Sequence, residues 1–174
     1  MFTIDVLALG ESVHAYRDKG NVTIGVNDIF RFYPVDFLVI ADPPSRFVQE
    51  RKSVILNSTP KRFFSSFDDW RQLVNNFKIL KLTKGRGRLD KFDSEICFSN
   101  NSPFIAVCLA YHMGAKRIVL HGVDLKSHPA LSRPNMLAAS LKDYDNLNKA
   151  LLKRNVDLFI SSPMSELNKV VRVL

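Results

Sequence analysis

Residues 101–124 read NSPFIAVCLAYHMGAKRIVLHGVD, and this stretch decides the fold. Ser102 reads as a helix N-cap with Pro103 at the first helical position, where the N–H that proline lacks would have had no partner. The helix runs strongly apolar to Met113, and Gly114 stops it. Arg117 to Leu120 is then a strand with apolar residues on both faces, ending at His121-Gly122-Val123-Asp124. A strand buried on both sides and fed directly by a helix belongs to a parallel sheet flanked by helices.

Outward from this unit the same grammar repeats. Thr3 to Leu9 reads as a strand ending at Gly10, followed by a short helix from Glu11 to Lys19 that Gly20-Asn21 stops. Val22 to Val26 is a second strand, ending at Asn27-Asp28. Asp36 to Ala41 is a third, ending at Asp42 before Pro43-Pro44, which cannot continue a ladder. Ser45 to Lys52 reads as a helix and Ser53 to Leu56 as a short strand. Between Lys61 and Asn76 the residues Phe63, Phe64, Phe67, Trp70, Leu73 and Val74 recur at spacings of three and four, which predicts short helices. Lys78 to Leu82 and Ile96 to Phe98 read as strands. Ser127 to Asn135 reads as a loop, Ala138 to Lys153 as a long amphipathic helix, Val156 to Ile160 as the last strand, and Met164 to Val171 as a terminal helix. The expectation is an α/β, Rossmann-like fold: one domain spanning residues 1–174, with a mainly parallel sheet and helices on both faces.

Composition narrows the class. The 174 residues are 46% hydrophobic and 24% charged, ordinary for a globular chain long enough to bury a core. No apolar run approaches the roughly 20 residues that span a bilayer, and the N-terminus lacks a basic leader, so a cytoplasmic protein without a membrane span is expected. The two cysteines, Cys97 and Cys108, have no metal-ligand spacing and read as reduced, buried thiols. A net charge of +8 favours an acidic partner. Much of the excess lies between Lys78 and Lys91, a segment that suits an anionic acceptor or a nucleic-acid backbone, and equally a solvated loop.

The strand ends carry the chemistry. In an open parallel sheet the carboxyl ends of the strands face the ligand crevice. Gly10-Glu11-Ser12 opens the first helix, where a glycine admits a ribose or phosphate and helix N–H groups are free. The second and third glycines of the dinucleotide fingerprint and the Gly-Lys-Ser/Thr of a P-loop are both missing. Asn27 and Asp28 end the second strand, and an asparagine there offers donor and acceptor to a ribose or base. Asn101, Ser102 and Gly122 complete a nucleotide pocket. Asp42 and Asp124 are carboxylates at strand ends, suited to a general base or a metal. His128, in the loop after Asp124, is suited to acid–base work near neutral pH. No HxxxH or CxxC pairing points to structural zinc, and no Gly-x-Ser-x-Gly elbow points to a hydrolase of that type.

In their order, Gly10-Glu11-Ser12, Gly25-Val26-Asn27-Asp28 and Val35 to Asp42 resemble the N-terminal part of the bacterial sialyltransferases of mucosal pathogens. They are also similar to the 6-hydroxymethylpterin diphosphokinases and their DUF115 relatives. Asn101-Ser102-Pro103, Gly114-Ala115-Lys116-Arg117-Ile118 and His121-Gly122-Val123-Asp124-Leu125 resemble that family's Thr-Ser-Gly helix, its Gly-Ala/Tyr-Lys-x-Ile turn and its Gly-Ile/Val-Asp strand end. The family's Gly-x-Gly-Pro-Ser stands here as Ala8-Leu9-Gly10-Glu11-Ser12, with glutamate for proline. The resemblance implies a Rossmann-like sheet binding a cytidine-monophosphate sugar, as in the sialyltransferases, or ATP, as in the pterin enzymes. It places Gly10, Ser12, Asn27, Ser102 and Asp124 in the nucleotide pocket and His128 nearest the catalytic histidine. The leading expectation is a glycosyltransferase with a nucleotide-sugar donor and no resident cofactor. Diphosphate transfer is the alternative and would require magnesium. A non-catalytic nucleotide or nucleic-acid module is the third reading.

Overall fold

The computed structural model describes residues 1–126 and 136–174. Along them run β1 (Thr3–Leu7), β2 (Val22–Val26), β3 (Phe37–Ile40), α1 (Gln49–Leu56), β4 (Arg62–Ser65), β5 (Phe77–Ile79), α2 (Ser102–His112), β6 (Arg117–His121), α3 (Met136–Leu152), β7 (Asp157–Ile160) and β8 (Arg172–Val173). All eight strands lie in one sheet of order β5-β4-β3-β2-β1-β6-β7-β8. Every pairing in it is parallel. The expected Rossmann-like α/β fold is what forms.

Side-chain alternation divides the core between the two faces. Ile4, Val6, Ile24, Val26, Ile118, Leu120, Leu158 and Ile160 point to the face that carries α2 and α3. Leu7, Leu38, Ile40 and Phe63 point to the other, against Ile55 of α1 and the aromatic ring of Trp70. Phe104 to Ala110 of α2 are all buried. A helix apolar all round needs cover on all sides. The sheet lies beneath it, α3 beside it, and the irregular segment 80–101 closes the rest, with Phe92 stacked on Tyr111 at 4.5 Å. Among the described residues no helix is long and apolar enough to cross a membrane.

Several local expectations are corrected. Ser53 to Leu56 is not a strand but the last turn of α1, where the Asn57 N–H reaches the Ser53 carbonyl at 3.0 Å. The helix expected at Ser45 begins only at Gln49, after a 3₁₀ turn over Pro44–Arg46. The helices expected within 61–76 give way to β4 and a single 3₁₀ turn, Asp68–Trp70. Neighbours Phe63 and Phe64 enter opposite core clusters, as adjacent residues of a strand must. The first helix shortens to a 3₁₀ turn, Glu11–Ala15, and the terminal helix becomes a 3₁₀ turn, Glu166–Lys169, leading into β8. Ile96 makes only an isolated bridge to Leu82. Asn101, not Ser102, holds the N-cap position of α2. The loop read over 127–135 lies outside the described residues.

Candidate functional site

The chain lays strands outward from β1 to β5, then crosses back to place β6 on the other side of β1. That reversal puts a topological switch point between β1 and β6, and ligand crevices of open α/β sheets form outside the carboxyl ends of the strands there. α2 leads directly into β6, so its N-terminus lies at this same edge. Four sequence-predicted groups therefore lie at this edge: the loop after β1, Asn27-Asp28 after β2, Gly122 to Asp124 after β6, and Asn101-Ser102.

The β1 and β6 loops are joined bond by bond. The Ala8 N–H donates to the His121 carbonyl and the Gly10 N–H to the Gly122 carbonyl, both at 2.8 Å. The Ser12 N–H donates to Asp124 Oδ2 at 2.9 Å, and the Ser12 hydroxyl donates to Asp124 Oδ1. Both glycines are demanded by this approach. A Cβ on Gly10 would lie 2.6 Å from the Gly122 carbonyl oxygen and from Asp124 Oδ2. Gly122 has φ +70°, and a Cβ there would lie 2.5 Å from the Ala8 carbonyl oxygen. Asp124 thus has both oxygens occupied by Ser12, and it positions the Gly10–Ser12 turn. Glu11 projects into solvent from that turn.

Asn27 is the least satisfied group at this edge. Its backbone adopts φ +54°, the left-handed region that non-glycine residues enter at a cost. Its N–H donates to the Val39 carbonyl at 3.1 Å, while its side-chain oxygen is buried without a hydrogen-bond partner. A buried acceptor left unpaired is uncommon and destabilising. Its neighbour Asp28 is the opposite case. Only 3% exposed, it is gripped by Arg51 through Nε at 2.9 Å and Nη2 at 2.5 Å, so it fastens α1 to the end of β2.

Asn101 is fixed from α3, where the buried Tyr144 hydroxyl donates to its Oδ1 at 2.9 Å. Its side chain caps no N–H of α2, and the Ser102 hydroxyl takes no partner among the described residues. Asp42 stands exposed beyond β3, its backbone carbonyl accepting from Trp70 Nε1 at 2.9 Å and its carboxylate in no ion pair among the described residues. His128 lies outside the described residues. Within the basic segment, Arg86 is held by Asp143, Arg88 by Asp90 and Lys91 by Glu95.

Sequence reasoning missed the polar groups inside the strands. Asp5, 3% exposed in the middle of β1, accepts from Asn21 Nδ2 at 3.0 Å and lies 3.3 Å from His121 Nε2. The Tyr16 ring meets His121 edge-on at 4.8 Å. Its hydroxyl is buried without a partner, and burial, reinforced by the charge of Asp5, pushes that phenol well above its ordinary range. The available signal was a carboxylate interrupting the apolar run Thr3 to Leu9.

No family model and no curated protein matches the sequence, so the pterin diphosphokinase resemblance has no support beyond its motifs. Solved structures do match. The monofunctional α-2,3-sialyltransferase Cst-I of Campylobacter jejuni superposes with TM-score 0.65 at 17% identity, over 99% of this chain and 80% of that one. The sialyltransferase CstII of the same organism, in complex with CMP-3FNeuAc, gives TM-score 0.61 at 12% identity, over 99% of this chain and 85% of that one. CstII with a trisaccharide acceptor and CMP gives TM-score 0.60 at 14% identity, over 98% and 85%. At these identities the likeness is one of fold: this chain carries the Rossmann-like architecture that Campylobacter sialyltransferases use.

Proposed function

We propose that residues 1–174 act as one nucleotide-binding transferase domain, a sialyltransferase-like glycosyltransferase whose donor lies across the carboxyl ends of β1, β2 and β6. The observation that carries this reading is Asn27, strained in its backbone and unpaired in its side chain at the switch-point edge. Strain and an orphaned acceptor in one residue are what a ligand contact would compensate. The likeness to enzymes solved with CMP and CMP-3FNeuAc supports a cytidine-monophosphate sugar as the donor class. CstII solved with a trisaccharide supports a glycan acceptor.

In this reading the Asn27 amide holds the ribose or base. Gly10, Ser12 and Gly122 form the wall against which the nucleotide rests, kept rigid by Asp124. Ser102, through its hydroxyl and its N–H at the start of α2, faces the phosphate, as helix N-termini do for anions. The acceptor hydroxyl attacks the anomeric carbon, the bond from that carbon to the phosphate oxygen breaks, and the nucleotide leaves with the electron pair. Asp42 or His128 takes the hydroxyl proton. Lys126, exposed after β6, offsets the charge on the leaving phosphate.

Thermal shift against CMP, CDP, UDP, GDP, ADP and ATP, each with and without magnesium, tests this. Stabilisation by CMP without magnesium is expected, and Asn27→Ala should weaken it about tenfold, the worth of roughly 1.4 kcal/mol. Stabilisation by ATP alone, and only with magnesium, would overturn glycosyl transfer in favour of diphosphate transfer. With an acceptor in hand, comparing Asp42→Asn with His128→Ala assigns the base.

A further inference from the structure

The sheet is not covered evenly. On the face opposite α2 and α3, the strands β1 and β6 carry Thr3, Asp5, Arg117, Val119 and His121 in alternation. Val119 belongs to neither apolar cluster, and a groove of about 220 Å³ opens over it. The groove follows β6 from Arg117 to His121, about 13 Å at roughly 3.3 Å per residue. Arg17, Lys19 and Asn21, from the segment that leads into β2, form its other wall.

Arg117 is the residue that asks for a ligand. Its cross-strand neighbour Asp157 is taken by Arg172 at 2.5 Å. Asp5, nearby on β1, is taken by Asn21 and His121. Among the described residues Arg117 therefore forms no ion pair, and its Nε–H is buried without an acceptor. The guanidinium is nonetheless fixed in place, 5.4 Å from the centre of the Phe159 ring. Opposite it Lys19 is exposed and in no ion pair among the described residues, and Arg17 spends one nitrogen on the backbone carbonyls of His14 and Tyr16. Three cationic side chains thus line the groove against one acidic side chain, Asp5, with Leu174 and its backbone carboxylate at the rim. Thr3, Asn21 and His121 add groups that hydrogen-bond hydroxyls.

We propose that this groove is a second ligand site, separate from the strand-end crevice, which binds the phosphate group of a small molecule through Arg117, Arg17 and Lys19. A held guanidinium with unused donors is suited to phosphate oxygens. Among the described residues His121 links the groove to the switch point: its ring lines the groove and its carbonyl holds the β1 loop.

The test is calorimetric titration of the full chain with sodium phosphate and with glucose 6-phosphate at low ionic strength. Saturable binding is expected, weakened at least tenfold in Arg117→Gln, weakened several-fold in Lys19→Gln, and unchanged in Asn27→Ala. The tighter probe identifies the source of the phosphate, free anion or ester. Binding undiminished in both cation variants, absence of binding with either probe, or equal loss in Asn27→Ala would overturn the proposal. Lys19 is exposed, so its variant keeps the test valid should Arg117→Gln fail to fold. Because nucleotide binding and groove binding are read with different variants, failure of one leaves the other standing.

Discussion

At the scale of single residues, Asn27 separates stability from function. Glycine enters the left-handed region freely, so Asn27→Gly should relieve the φ of +54° and remove the orphaned oxygen together. We expect a gain of about 0.5 kcal/mol, a rise of roughly 1–2 °C in melting temperature, while the stabilisation by CMP is lost. A melting temperature that falls instead would make the side chain structural and remove it from the site. The strand-end residues were legible in the sequence because glycine, asparagine and aspartate stand out at the close of apolar runs. Their division of labour was not. Gly10 and Asp124 read as site residues, and no local pattern announced that Gly10 is also required by the approach of Gly122. Asp124 serves Ser12, a residue 112 positions away that no local pattern connects to it.

Among the elements, strands β1, β2, β3, β6 and β7 and helices α2 and α3 were legible because long apolar runs or a clear amphipathic period declare them. On the far side of the sheet β5 and part of α1 were read with shifted bounds, and β4 was not read at all. Phe63 and Phe64 satisfy a helical spacing with Phe67 and Trp70, and only the parallel partner β3 decides for strand. The entry to that half of the sheet is fastened by Asp36, which accepts from the Thr23 N–H at 2.9 Å and the Thr23 hydroxyl at 3.1 Å and pairs with Lys61 at 2.7 Å. Burial works against its charge, but the Lys61 ammonium and the Thr23 donors prevail and hold the carboxyl below its ordinary value. A carboxyl whose folded pKa is depressed stabilises the fold above its unfolded value near 3.9, and the stabilisation is lost as pH falls through the folded value. Asp36→Asn should therefore cost about 1–2 kcal/mol at neutral pH. Denaturant melts should show the gap between variant and parent closing below about pH 4. A gap that persists unchanged into acid would show that shape, not charge, makes the clamp.

For the whole molecule, the net charge of +8 was legible and its disposition was not. Counted along the chain, Lys78 to Lys91 offers six cations to an anionic strand: Lys78, Lys81, Lys84, Arg86, Arg88 and Lys91. The fold commits three of them, because Arg86 ties this segment to Asp143 of α3 while Arg88 and Lys91 close on Asp90 and Glu95. Lys78, Lys81 and Lys84 are exposed and form no ion pair among the described residues. Each phosphate neutralised on duplex DNA contributes about −0.9 to the slope of log affinity against log salt concentration. Three free lysines then give a slope of about −3, where six cations would give about −5. Fluorescence anisotropy of a labelled duplex across a salt series reads this directly. A slope near −3 that disappears in the triple variant Lys78→Gln, Lys81→Gln, Lys84→Gln would mark the contact as general charge attraction, subordinate to the strand-end site. A slope near −5 would mean that the internal ion pairs open to take the backbone. The basic segment, rather than the nucleotide crevice, would then be the principal binding surface.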